Sequence, residues 1–179
     1  MTDSTMHNGA AGLTRRPRIL IAGLGNDLLS DDGAGVHAVR LLKQQDLEPG
    51  VRAFEIGTAV LDALHLFEKA DYIVAVDAMQ ASGAPGTVYQ LDAHDLAMRD
   101  RVSMHDFTFT SALALLRKQP LQTAVVGVEP EKIEFGLELT PRVHAALPVA
   151  AETVRRIIRN WVDLPLHGVV ESYSPSVVR

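Results

Sequence analysis

Three places in this chain combine residue types that can ligate a metal or move a proton with positions where such groups converge. The first is Asp31-Asp32, two adjacent carboxylates that follow the apolar run Ile19–Leu24 and precede an amphipathic stretch starting at Gly35. The second is Asp77, which ends the apolar run Tyr72–Val76, and the third is His105, which opens a later helical pattern. Neighbouring carboxylates repel, and a metal ion is the leading candidate to offset that repulsion. Asp32, Asp77 and His105 would supply two oxygens and one imidazole with open positions left over, a set suited to nickel, zinc or manganese. Asp31, Asp32 and Asp77 are also candidates for a general base that activates water. Plainer roles exist for each. Asp31 and Asp32 could load a helix N-terminus, which is worth roughly 0.3–1 kcal/mol; Asp77 could cap a loop, and His105 could be an ordinary first-turn residue. Each plainer role is the commoner fate of a lone Asp or His; their common placement at strand or helix ends is what raises the shared-site reading beside it.

These positions depend on the elements that present them. Apolar runs alternate with helical patterns from Arg18 to Trp161, which predicts an α/β fold: a three-layer α/β/α sandwich with a twisted, mainly parallel sheet. The chain divides into a flexible segment 1–17, one domain over 18–162 and a weakly ordered tail 163–179. Strands are expected at Ile19–Leu24, Val51–Ile56, Tyr72–Val76 and Leu121–Val128, with Thr87–Leu91 as an edge strand after the Pro85-Gly86 turn. Helices are expected over Gly35–Gln45, along Val60, Leu61, Leu64 and Phe67, and from near His105 with Phe109, Leu113 and Leu116 as its stripe. A last helix starts at Thr140 as N-cap and Pro141 as first helical residue, and Pro148 should kink it. Right-handed crossovers would gather the carboxyl-end loops on one rim, where α/β sheets bind ligands.

Composition narrows the class. A length of 179 residues suits one domain with a single sizeable core. The net charge of −5 makes a nucleic-acid backbone an unsuitable partner. The chain has no Cys, which excludes a disulfide scaffold, a thiolate zinc site and a cysteine protease, and fits a reducing cytoplasm. The first 16 residues contain no apolar core of a signal peptide, and no window reaches the ~20 apolar residues of a membrane span. A soluble, cytoplasmic protein with no membrane partner is therefore expected; a monomer is the expected state, though composition does not set it. HExxH, GxSxG and GxxxxGK motifs are absent, and no Ser, Cys or Thr nucleophile arrangement is visible. Gly23-Leu24-Gly25 begins like a dinucleotide fingerprint, but Leu28 stands where its third glycine belongs. These glycines instead suit a tight turn that brings bare backbone to a ligand. Glu129 and Glu131 are read as a solvated turn, and His7, His37, His65, His94 and His144 as solvated.

Six ordered motifs then carry a resemblance. Gly23-x-Gly25-Asn26 with Asp31-Asp32-Gly33-Ala34-Gly35-Val36 resembles the N-terminal signature of the nickel–iron hydrogenase maturation endopeptidases. The match continues through Gly57-Thr58, Val76-Asp77-Ala78 with Ala84-Pro85-Gly86-Thr87, and Ser103-Met104-His105. Val126-Gly127-Val128-Glu129-Pro130 and Gly136-Leu137 to Pro141 complete it, over residues 18–161. The resemblance implies an aspartic-type endopeptidase that removes the C-terminal extension of the hydrogenase large-subunit precursor once nickel is in place. It implies metal contacts at Asp32, Asp77 and His105 and nickel supplied by the substrate rather than kept as a cofactor. Two chemistries stay open: a carboxylate base, with Asp32 and Asp77 as the catalytic candidates and Asp31 as a further one, or bound nickel that polarises the carbonyl or the water. The Gly23–Asn26 backbone, Gly25 and Asn26 above all, and the Gly57-Thr58 backbone would hold the substrate tail or an oxyanion. Two other readings remain: a non-catalytic module that binds nickel or precursor, and a peptidyl-tRNA hydrolase-like enzyme, suggested by GLGN but opposed by Asp27-Leu28 and the acidic charge.

Overall fold

The computed structural model describes residues 15–92, 104–162 and 176–178, with residues 104–108 and 176–178 described by their backbone alone. Six strands form one sheet: β1 (Ile19–Leu24), β2 (Val51–Gly57), β3 (Tyr72–Ala78), β4 (Val88–Asp92), β5 (Gln122–Val128) and β6 (Ser176–Val178). Their order is β2-β1-β3-β5-β4-β6. β1 runs parallel to β2 and β3, and β3 parallel to β5; β4 is antiparallel to β5 and to β6. The four parallel strands make the sheet mainly parallel, as the alternating sequence pattern requires.

Residue alternation along the strands builds two cores. Ile19 and Ile21 of β1 and Tyr72, Val74 and Val76 of β3 face α1 (Ala34–Lys43) and α4 (Pro141–Val162). Leu20, Ala22 and Leu24 of β1 and Ile73 and Ala75 of β3 face the other way, toward α2 (Leu64–Phe67) and α3 (Met104–Leu115). A strand that sends successive side chains to opposite faces must be apolar at every position when both faces are covered. All six residues of β1 are buried, and the three-layer arrangement follows. Tyr72 stacks on Trp161 at 5.2 Å in the first core, and Phe67 meets Phe109 edge-on at 5.7 Å in the second. α1 starts close against the sheet because Gly35 has no side chain. A Cβ there would collide with the carbonyl oxygens of Leu24 and Val76.

Several expectations change. The second helix contracts to one turn, Leu64–Phe67, and Leu61 is 53% exposed rather than part of an apolar face. β4 is not the sheet edge, because Val88, Tyr89 and Gln90 pair with Val178, Val177 and Ser176 of β6. Part of the expected tail is therefore a strand; residues 163–175 lie outside the described residues, as do 1–14. At the other terminus, Arg15 and Arg18 both bond to Asp71. α4 begins at Pro141 as expected and continues through Pro148 as one 22-residue helix. No helix among the described residues is long and apolar enough to cross a membrane.

Candidate active site

The sheet order places the site. From β1 the chain steps outward to β2, then crosses back over β1 to β3, so the connections after β1 and β3 diverge. This is the topological switch point, where the carboxyl ends of neighbouring parallel strands leave a crevice. Asp32 lies in the 3₁₀ turn Ser30–Gly33 after β1, and Asp77 is the penultimate residue of β3. Both flank that point and both are buried, Asp32 at 6% exposure and Asp77 at 0%.

Gly25 joins them. Its φ of +99° lies in the region that favours glycine, and a Cβ there would fall on the carbonyl oxygen of Asp32 and within 3.3 Å of Asp77 Oδ1. The next residue, Asn26, donates its backbone N–H to Asp32 Oδ2 at 2.8 Å, and Ala78 donates its own to Asp77 Oδ1 at 2.8 Å. Gly57 ends β2 beside the same turn: a Cβ on it would sit 3.4 Å from the Gly25 carbonyl oxygen. Thr58 follows at the surface. The structure thus gathers Gly25, Asn26, Gly57, Asp32 and Asp77 on one rim.

His105 is described by its backbone alone, in the first turn of α3. Just beyond the far end of this helix, Lys118 bonds to Asp71 at the amino end of β3. Twelve residues at about 1.5 Å each carry the first turn toward the opposite, carboxyl rim. α3 also packs on the sheet face to which β3 alternation assigns Asp77. Among the described residues no three His, Asp or Glu side chains form a ready metal cluster; the His105 side chain lies outside that description. Of the three candidate ligands, Asp32 and Asp77 are those whose side chains are described.

Asp31 does something different. It is fully buried, and its carboxylate accepts four hydrogen bonds: Glu131 N–H at 2.9 Å, Lys132 N–H at 3.1 Å, and Thr140 N–H and Oγ–H at 2.7 and 2.9 Å. A carboxylate saturated by donors holds structure and is poorly placed to take a proton from water. Asp31 therefore drops out as candidate base and becomes the clamp between the first loop and the 129–140 loop. Thr140, expected as an N-cap, gives its hydroxyl proton to this clamp.

Glu129 also departs from expectation. It is 6% exposed rather than solvated, and its Oε2 accepts from Ala81 N–H, Gly83 N–H and Tyr89 O–H. Burial and this carboxylate push the Tyr89 phenol up to about 12. The signal was present: Glu129 follows β5 as Asp77 ends β3, at the mouth of a buried strand. His37 is half-buried, and burial, reinforced by Arg40, moves its imidazole below the usual value. Behind the site, Arg40 bonds to Asp27 of the first loop and Glu55 of β2, steadying the turn from outside.

Comparison with known proteins decides the family. The model of the hydrogenase maturation proteases matches residues 36–157. The chain belongs to the hydrogenase maturation protease family. It is 33% identical to the hydrogenase 2 maturation protease of Escherichia coli K12, over 79% of this chain and 91% of that one. It is 36% identical to the hydrogenase expression/formation protein HoxM of Azotobacter vinelandii, over 89% and 82%. Among solved structures, the E. coli hydrogenase maturating endopeptidase HybD superposes with a TM-score of 0.74, at 33% identity over 80% of this chain and 93% of that one. A nickel–iron hydrogenase maturation protease from Thermococcus kodakarensis gives 0.67 at 26% identity, over 78% and 98%. The α/β/α fold of this maturation protease is thus that of its solved relatives.

Proposed function

We propose that this protease removes the C-terminal extension of a nickel–iron hydrogenase large-subunit precursor, in the cytoplasm and as a monomer, once nickel has been inserted. The observation that carries the reading is the convergence of Asp32 and Asp77 about Gly25 at the switch point, in a chain of this family. Two buried carboxylates on one rim suit a cation that arrives from outside. In this reading the nickel belongs to the substrate, and Asp32, Asp77 and His105 read it without retaining it. A precursor that lacks nickel offers no anchor. Docking fixes the scissile peptide against the rim and turns a loose encounter into an oriented one. The Gly25-Asn26 and Gly57-Thr58 backbones then hold the extended tail. Asp32 or Asp77, the aspartic-type element of the reading, takes a proton from water as its oxygen adds to the peptide carbonyl. The proton returns to the departing amine, leaving one new carboxyl end and one new amino end.

The test uses the full chain with a precursor that carries its C-terminal extension. Nickel-loaded precursor should lose a discrete peptide and nickel-free precursor should stay intact. Asp32→Ala, Asp77→Ala and His105→Ala should each reduce processing by at least about a hundredfold, the lower range for removing a catalytic acid–base group. Equal cleavage of loaded and empty precursors would remove nickel reading from the mechanism; normal processing by one variant would remove that residue from the site.

A further inference from the structure

Beside the candidate site the surface carries large apolar side chains that the fold holds out into water. Phe135 is 84% exposed, Leu137 66% and Leu28 50%. They are not on a slack loop. Leu29 pairs with Gly136 in a parallel bridge: Gly136 N–H donates to Leu28 O at 3.0 Å, and Ser30 N–H to Gly136 O at 2.7 Å. The bridge register sets Leu28 beside Phe135, and Leu137 follows one residue past the bridge. Asp31 ties both ends of the same loop down through Glu131, Lys132 and Thr140. The ridge is therefore fixed to the turn that carries Asp32. Contiguous exposed apolar groups on a braced frame mark an interaction surface.

Charge selects the occupant. Residues 131–138 contain three Glu against one Lys, and only Glu131 and Glu134 have ion-pair partners among the described residues. Glu138 beside Leu137 has none there. A second copy of this chain would set Glu134 and Glu138 against their own counterparts, which like-charge repulsion opposes. A surface that presents apolar side chains next to a cationic group fits instead. Resting on the function proposed above, we infer that Leu28, Phe135 and Leu137 form a docking ridge for such a segment of the large-subunit precursor. The ridge binds folded precursor outside the cleaved tail, while Asp32 and Asp77 act on the bond.

Phe135→Ser, Leu137→Ser and the pair Leu28→Ser/Phe135→Ser would be compared with wild type in steady-state processing of nickel-loaded precursor, with folding checked by circular dichroism. These side chains are exposed, so the variants should fold. KM should rise at least about tenfold in Phe135→Ser and further in the double variant, with kcat within about twofold and Phe135→Leu restoring most of the loss. Unchanged KM in the double variant, or a fall in kcat at constant KM, overturns the ridge while leaving the proposed function standing. A wild-type protein that processes no loaded precursor overturns the proposed function, and the ridge with it. Dimerisation of wild type that the double variant loses, seen by sedimentation, would assign the surface to a second copy and overturn the inference.

Discussion

Asp31 and Asp32 share a backbone and almost nothing else. Asp31 Oδ1 and Oδ2 accept four bonds that tie residues 131, 132 and 140 to the first loop, whereas Asp32 Oδ2 accepts the N–H of Asn26 within its own loop. Replacing Asp31 by Asn puts an NH₂ group where donors already point and removes a charge that strengthens each bond. Hydrogen bonds to charged groups contribute about 1.5–3 kcal/mol each, so Asp31→Asn should lower unfolding free energy by at least about 2 kcal/mol. Asp32→Asn keeps the shape and relieves charge at a buried site. Sites shaped for chemistry commonly give up stability, so this variant should unfold within about 1 kcal/mol of wild type while processing nothing. Urea denaturation of both variants checks the contrast; an equal loss of stability would show that Asp32, too, is chiefly a structural acid.

At the scale of elements, the amino ends of β1 and β3 are pinned far from the chemistry. Asp71, 2% exposed, receives bonds from Arg15, Arg18 and Lys118, which join the start of the domain, the sheet and the chain beyond α3. Burial alone would raise this carboxyl, but the hydrogen bonds from Arg15, Arg18 and Lys118 outweigh it and hold the group far below the usual carboxylate range. A carboxyl depressed in the folded state contributes stability that is present above its unfolded value, near 3.8, and is lost as pH falls toward the folded value. Wild type should therefore exceed Asp71→Asn by a constant margin, about 2 kcal/mol, from pH 8 to about 5, and the margin should shrink below about pH 4. Denaturant melts across that range decide it, and a margin that widens toward acid would reverse the assignment. The sequence makes the parallel strands legible because two covered faces demand unbroken apolar runs. It makes Asp77 legible because it ends such a run, and Asp32 because it lies in the loop that follows one. It hides Asp31's role, since its partners lie 100 and 109 residues away along the chain. It hides β6 as well, because three residues carry too little pattern to mark a strand, and it overstates α2, where Leu61 completes a helical stripe yet faces water.

Across the whole molecule, the candidate site and the closure of the sheet occupy different places. Asp32 and Asp77 sit at the β1/β3 boundary, whereas β6 lies three strands beyond β3, at about 4.8 Å per step, and covers the outer side of β4. That ladder pairs β6 with β4 and with neither β1 nor β3. Ending the chain at Val162 removes β6 and leaves Val88, Tyr89 and Gln90 with an open edge, a template for pairing between molecules. A few ladder hydrogen bonds at about 0.5–1.5 kcal/mol each, less the entropy of ordering three residues, leave a net contribution on the order of 1 kcal/mol. The truncated protein should melt a few degrees lower, about 2–4 °C for a domain of this size, and aggregate at lower concentration. Processing of nickel-loaded precursor at 25 °C should stay within about twofold, because the switch point and the Leu28–Leu137 ridge are built without it. Thermal melts, light scattering and the processing assay on one preparation separate these effects. A truncated chain of unchanged melting temperature that no longer processes precursor would move the C-terminal strand from the sheet's edge into the substrate's path.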